Sequence, residues 1–291
     1  MKKITFARCL AILLLTGCAA WAQPPQQQVR VEPNRESGQS VTAAFEGWFA
    51  NADGSFSILL GYFNRNTKEE LDIPIGPNNK IEPGGPDQGQ PTHFLPRRQW
   101  GMFAVKVPKD FGNKKVTWTL TANGVTTSIP VGLDPLWEIS PFKTTEGNTP
   151  PFVGFSESGP FAQGPPGAFT KATATVGVPL PITVFAADDA YMNPALAVFF
   201  GRMPAVNLTF AKFRGEGEIT FSNPRPPVAA AEYSTPPNVK FHGKASTTAT
   251  FGAPGEYIIR FNANDSSGEG GLGFQCCWTN GQIRVSVSAA K

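Results

Sequence analysis

The stretch at residues 251–287, FGAPGEYIIRFNANDSSGEGGLGFQCCWTNGQIRVSV, decides how the rest of the chain is read. Tyr257, Ile259, Phe261 and Ala263 alternate with Ile258, Arg260 and Asn262. Ile283, Val285 and Val287 alternate in the same way with Arg284, Ser286 and Ser288. A period of two marks strands that bury one face. A glycine- and acid-rich loop joins the two strands, and Cys276 and Cys277 stand side by side at its far edge. Ala253-Pro254-Gly255-Glu256-Tyr257 is a tight lead into the first strand. A tyrosine in that position often hydrogen-bonds back to the backbone just upstream.

Working outward, the chain has 291 residues, 30 of them glycine and 28 proline, and no sustained helical stripe after the N-terminus. That balance favours all-β structure with many turns, and the length admits two domains that each bury a core. Lys2, Lys3 and Arg8 precede or enter a short apolar run, CLAILLLTG at 9–17, and Ala20-Trp21-Ala22 forms an A-x-A cleavage site. Residues 1–22 therefore read as a signal peptide, the apolar run being too short to span a bilayer. Leu15-Thr16-Gly17-Cys18 also resembles the bacterial lipobox. On that reading the signal is 1–17, and a lipid on Cys18 is the chain's one route to a membrane. Both readings place the protein outside the cytoplasm: secreted, periplasmic or lipid-anchored at the cell envelope.

Export changes the charge and cysteine arguments. Lys2, Lys3 and Arg8 account for the whole excess of 25 basic over 22 acidic residues, so no basic field remains for nucleic acid or an anionic membrane. Of the four cysteines, Cys9 is removed and Cys18 is removed or lipidated, which excludes a disulfide-stapled scaffold.

In chain order, 23–40 is a polar, proline-rich tether. A first domain at 41–139 carries strands at 41–49, 56–63, 71–75, 102–107, 116–121 and 125–131. Asn123-Gly124 between the last two is a strong hairpin signal. The stretch 76–100 reads as a long loop whose His93, Arg97, Arg98 and Trp100 are either a ligand-contacting set or the plug of one sheet end. A linker at 140–150 follows, then a second domain at 151–291. That domain has an irregular edge at 152–170 and strands at 172–176, 180–186, 206–213, 218–222, 246–251 and the closing pair. The order fits two immunoglobulin-like antiparallel β-sandwiches.

The run TTATF, APGEY, a strand ending in NDSSG and a final VSV strand is similar to PKD-type and cadherin-like bacterial immunoglobulin folds. That resemblance implies adhesion, polysaccharide association or spacing, without catalysis. FEGWFANADGS, LLGYFNRN, PTHFLPRRQWGMFAVKVPKDFG and the GFQCCWTNG motif together resemble uncharacterised exported bacterial two-domain proteins, a likeness that brings no activity. The paired cysteines depart from the PKD-type pattern.

Three features carry candidate chemistry. Asp188 and Asp189 follow one strand, and Asp265 and Glu269 follow another, at what the Greek key makes the same end of the sandwich. They are either a calcium site or turn-shaping carboxylates. Cys276 and Cys277 have no other partner in the mature chain. They form either a vicinal disulfide, making with Trp278 an apolar platform for a ligand, or two thiols. Gly268-Glu269-Gly270-Gly271-Leu272-Gly273 leads into a strand and not a helix, so it is no phosphate cradle. His93 and His242 are the only histidines, and no G-x-S-x-G or H-E-x-x-H motif occurs. The expectation is a non-catalytic envelope binding or adhesion protein that engages a polysaccharide or an envelope protein at loop ends. The alternatives are a carbohydrate-active or other hydrolytic accessory enzyme and a purely structural spacer.

Overall fold

Strands β1 (Val41–Ala50) and β2 (Phe56–Asn64) open the fold, joined by a turn in which Asn51 N–H donates to Ser55 O at 2.8 Å. β2 is buried on both faces: Ile58, Leu60 and Tyr62 enter one core, while Leu59 joins Phe49, Ile139 and Trp278 on the other. That is why its sequence is a continuous apolar run and not an alternation. The computed structural model describes residues 35–191, 198, 204–265 and 276–290. The expected signal sequence with Cys18, the G-x-G-x-x-G loop and Glu269 lie outside them.

The first half continues with β3 (Leu71–Asp72), β4 (Asn79–Glu82), β5 (His93–Phe94), β6 (Arg97–Val107), β7 (Val116–Ala122) and β8 (Val125–Val131). They form sheets in the orders β1-β2-β6, β3-β5 and β4-β7-β8. Asn123 and Gly124 take φ values of 49° and 76°, the positive values a tight β-hairpin needs. The region 76–100 is not the open loop that its prolines and glycines suggest, for it contains β4, β5 and the head of β6. Asn79 holds it in place. Fully buried, its side chain donates to Ile73 O and Pro91 O at 2.9 and 2.8 Å and accepts from Trp118 Nε1 at 3.1 Å.

The second half contains β9 (Phe152–Gly154), β10 (Phe161–Gln163), β11 (Ala168–Thr175), β12 (Leu180–Asp188), β13 (Asn207–Arg214) and β14 (Ile219–Phe221). β15 (Ala229–Ala230), β16 (Phe241–Phe251), β17 (Gly255–Asn264) and β18 (Trp278–Ser288) complete it. One sheet runs β10-β9-β12-β16-β14, with β15 on β16, and the other runs β11-β18-β17-β13. Val184, Ala186, Ala249 and Phe251 from the first meet Phe210, Ile259, Phe261 and Val285 from the second in one core. β9 lies between β10 and β12, so 152–154 is an internal strand and not an irregular edge. β11 starts at Ala168 and pairs with β18 in parallel, from Ala168 opposite Gly281 to Thr175 opposite Ser288.

Every sheet draws its strands from one side of 132–151, but the cores are shared. Phe213 of β13 is buried in the first-half core, and its carbonyl accepts from Thr92 N–H at 3.1 Å. Arg214 grips Asp87 with two bonds of 2.9 and 2.8 Å. The edge of β13 is thereby covered, which protects it from pairing with other chains. Residues 35–191, 204–265 and 276–290 fall within a single compact unit, Asn34–Lys291. The end of the expected tether is also fixed: Gln39 N–H donates to Asn66 Oδ1 at 2.7 Å, and Thr67 N–H to Arg35 O at 3.0 Å.

Tyr257 is 2% exposed and its hydroxyl donates to Ala253 O at 2.8 Å, closing the corner ahead of β17. Gly215 and Gly217 lie so close to its ring that neither has room for a Cβ. Tyr257→Phe removes one hydrogen bond and no packing, so it is expected to cost about 1 kcal/mol. Tyr257→Ala empties the corner and is expected to cost about 3–5 kcal/mol, by analogy with other buried aromatic truncations. Chemical denaturation of the two variants checks this contrast, and equal losses would contradict it.

Candidate functional site

The two halves meet at Gly101. β6 bulges there, since Leu60 pairs with Phe103 and Tyr62 with Gln99, leaving three residues of β6 opposite Gly61. The bulge frees both sides of the Gly101 peptide from the ladder. Its N–H donates to Glu46 Oε2 at 2.6 Å, and its carbonyl accepts from Asn280 Nδ2 at 2.7 Å. Arg98 pairs with the other Glu46 oxygen at 2.7 Å, and Arg260 donates to Asn280 Oδ1 at 2.7 Å. Glu46, Arg260 and Asn280 are all buried: Arg98 balances the Glu46 carboxylate, and Arg260 donates to the Asn280 amide oxygen. Gly101 has φ +51°, and a Cβ there would meet the Trp278 ring at 2.7 Å.

Beside this junction lies a cleft of about 580 Å³. Its first-half wall is the turn after β1 with Met102, Phe103 and Lys106, and its second-half wall is Pro165, Phe169, Gln282 and Arg284. Phe169 is 62% exposed although it is a large apolar side chain. Alternation along β11 puts Phe169 and Lys171 on one face, and the parallel register sets them beside Gln282 and Arg284 of β18. The cleft continues past Arg284 into two neighbouring depressions, one with Lys171 and Glu256, the other with Asp87 and Arg214. Lys171 and Arg284 are exposed cross-strand neighbours of like charge, with the Glu256 carboxylate in the same depression.

The four ligand candidates of the long loop do not converge on this cleft, and neither they nor Trp278 line it. His93 is 6% exposed and fixed between Asp72 Oδ1 at 2.9 Å and Glu70 Oε2 at 3.0 Å. Lys212 reaches the same Asp72 oxygen at 3.1 Å. Arg97 lies over the Phe63 ring, and Arg98 stacks on Trp100 at 3.8 Å from its centroid. Trp278 is 1% exposed, packed with Phe49, Leu59 and Ile139, and so offers no platform to a ligand. Cys276 and Cys277 are joined by a disulfide and are both buried, so they too present no surface. Residues that the sequence did not single out, Phe169, Gln282 and Arg284, line the open cleft, and Lys171 lines the depression beyond Arg284. Their alternation in FTKAT and NGQIRV was legible, but the parallel pairing that aligns them was not.

The acidic end of the second half does bring side chains together. Asp188 ends β12 and Asp265 follows β17. The 140–150 linker folds against them: Thr144 N–H donates to Asn148 O at 2.9 Å, and Asn148 Nδ2 donates to Asp265 Oδ2 at 2.7 Å. Asp189 accepts from Thr149 N–H and Oγ1–H at 3.1 and 2.9 Å and from Tyr191 N–H at 2.7 Å. Burial pushes the Asp188 carboxyl up to about 8, and the charges of Asp189 and Asp265 push the same way. Among the described residues, no three His, Cys, Asp or Glu side chains come together as a metal cage. No helix of the described residues is long and apolar enough to cross a membrane.

No protein-family model and no curated protein matches the chain. The PKD-type resemblance therefore has no matching family model behind it. Among solved structures, the chain is similar to domains 4 and 5 of the S-layer protein SbsC. The identity is 12% and the TM-score 0.24, covering 86% of this chain and 98% of that one. It is also similar to SbsC domains 4–9, at 13% identity and TM-score 0.25, covering 87% of this chain and 31% of that one. An endo-fucoidan hydrolase from glycoside hydrolase family 107 follows at 13% identity and TM-score 0.22, covering 89% and 31%. Likenesses this distant carry no argument about activity.

The state of Asp188 yields a pH dependence. Its carboxyl titrates higher in the folded chain than in the unfolded one, so the folded state holds a proton that the unfolded state releases. The resulting stability is present below about pH 4 and is lost as pH rises toward about 8. In chelator, the wild-type melting temperature is expected to fall across that window by roughly 5 °C or more. Asp188→Asn, which keeps the neutral shape, is expected to flatten the fall. An unchanged slope in the variant would assign the pH dependence to another group.

Proposed function

We propose that the chain is an exported, non-catalytic protein of the cell envelope, built of two immunoglobulin-like β-sandwiches that bind an extended acidic polysaccharide in the cleft beside Gly101. The observation that carries this reading is the row formed by Phe169, Lys171, Gln282 and Arg284. An exposed aromatic ring offers a stacking face for a sugar ring, the amide offers hydrogen bonds to hydroxyls, and the two cations suit carboxylate or sulfate groups. Phe169 and Lys171 stand about 7 Å apart along β11, with Gln282 and Arg284 beside them on β18. Binding on a sheet face between the halves departs from the loop-end recognition expected from the sequence. The export signal supplies the location, and the neutral balance of the mature chain leaves charge complementarity to this one patch.

Affinity electrophoresis of the mature protein in gels carrying acidic or neutral polysaccharides tests the reading. Retardation is expected in the acidic gels and is expected to weaken as salt rises. Phe169→Ala and Arg284→Ala are each expected to weaken binding about ten-fold, equivalent to roughly 1.4 kcal/mol. Retardation unaffected by either substitution, or absent from every gel, overturns the proposal. Shortening of the polymer would favour the accessory-enzyme alternative.

A further inference from the structure

The acidic end of the second half holds two buried oxygens that no described residue satisfies. Asn148 is 3% exposed and Asp188 1% exposed, yet Asn148 Oδ1 and Asp188 Oδ2 have no hydrogen-bond partner. Asn148 cannot be relieved by turning its amide over. Its Nδ2 donates to Asp265 Oδ2 at 2.7 Å, and the reverse orientation would set oxygen against oxygen. The other Asp188 oxygen is already engaged by Ala190 N–H at 2.7 Å. The neighbouring donors, Thr149 N–H, Thr149 Oγ1–H and Tyr191 N–H, are all spent on Asp189. An acceptor buried without a donor costs about 1–3 kcal/mol, and two occur here beside a third carboxyl group, that of Asp265.

We propose that Asp188, Asn148 and Asp265 bind a divalent cation of the calcium class. The donors are two carboxylates and an amide oxygen, hard ligands with no imidazole or thiolate among them, which suits calcium and disfavours zinc or copper. Two carboxylates and an amide fall short of a closed cage, so water and main-chain oxygens would complete the six to eight ligands that calcium takes. Asp189 is not part of the set, because Thr149 and Tyr191 occupy both its oxygens. The three ligands come from different segments: the turn at 144–149, the end of β12 and the exit of β17. A cation there clamps the connection between the halves to both sheets of the second half. The inference is independent of the polysaccharide reading, since the site lies on residues that do not line the cleft.

Calorimetric titration of chelator-treated mature protein with calcium at about pH 9, where Asp188 is ionised, is the direct test, with thermal melts in calcium and in chelator beside it. One binding site and a melting temperature raised by millimolar calcium are expected. Asp188→Asn and Asn148→Ala are each expected to weaken binding at least ten-fold and to abolish the calcium-dependent shift. Both are expected to fold, which their melts in chelator verify independently. Should Asp188→Asn fail to fold, Asn148→Ala decides alone. No heat and no shift with the wild type would mean that buried water alone satisfies the two oxygens, and the proposal falls. It falls equally if calcium binds both variants as it binds the wild type.

Discussion

The carbonyl of Gly101 ties the two halves together, while its N–H anchors it within the first half. Its N–H is held by Glu46 of β1 and its carbonyl by Asn280 of β18. No side chain can be added at this position, because the Trp278 ring covers the space a Cβ would take. The carboxylate of Glu46 is buried and would be costly alone, but Arg98 and the Gly101 amide compensate it. The bulge that releases Gly101 from its ladder is thus the condition for the junction. The mutual placement of β6 and β18 follows from it.

β18 carries that placement to the rest of the molecule. Trp278 and Asn280 lie at the junction, Gln282 and Arg284 face the groove, and Ile283, Val285 and Val287 fill the second core. At its start, Cys277 O accepts from Asp265 N–H at 3.4 Å, which links the disulfide to the acidic end. A single strand therefore touches the junction, the open cleft and the neighbourhood of the orphan oxygens. Its parallel pairing with β11 sets Lys171 against Arg284 and leaves Phe169 exposed, so the groove's chemistry follows from the same register.

What the sequence made legible was what depends on near neighbours. Alternation located β17 and β18, and Asn123-Gly124 located its hairpin. The approach to β17 pointed to the hydrogen bond of Tyr257. The expected Greek-key order put Asp188 and Asp265 at one end, and the charge of Asp265 is among those that raise Asp188. What escaped depends on pairing across long separations. Asn79 and Asn148 look like turn residues until Trp118 and Asp265 are brought to them across 39 and 117 residues. Trp278 beside two cysteines reads as a surface platform until Gly101 is packed beneath it. Strands of two to four residues among prolines, such as β4 and β5, have too few positions to display a period.

A polar junction also explains why the cleft keeps its shape. Apolar contacts alone would let two sheet packages slide, since burial is non-directional. The 2.7 Å bond from Asn280 to the Gly101 carbonyl, on a residue whose N–H Glu46 holds at 2.6 Å, favours a single register between β6 and β18. The cleft walls come one from each half, so their spacing is set by that register rather than by either core. An occupant touching both walls would add contacts across the same boundary, and its binding would be coupled to the integrity of Glu46 and Gly101, which do not line the cleft, as well as of Asn280, which does.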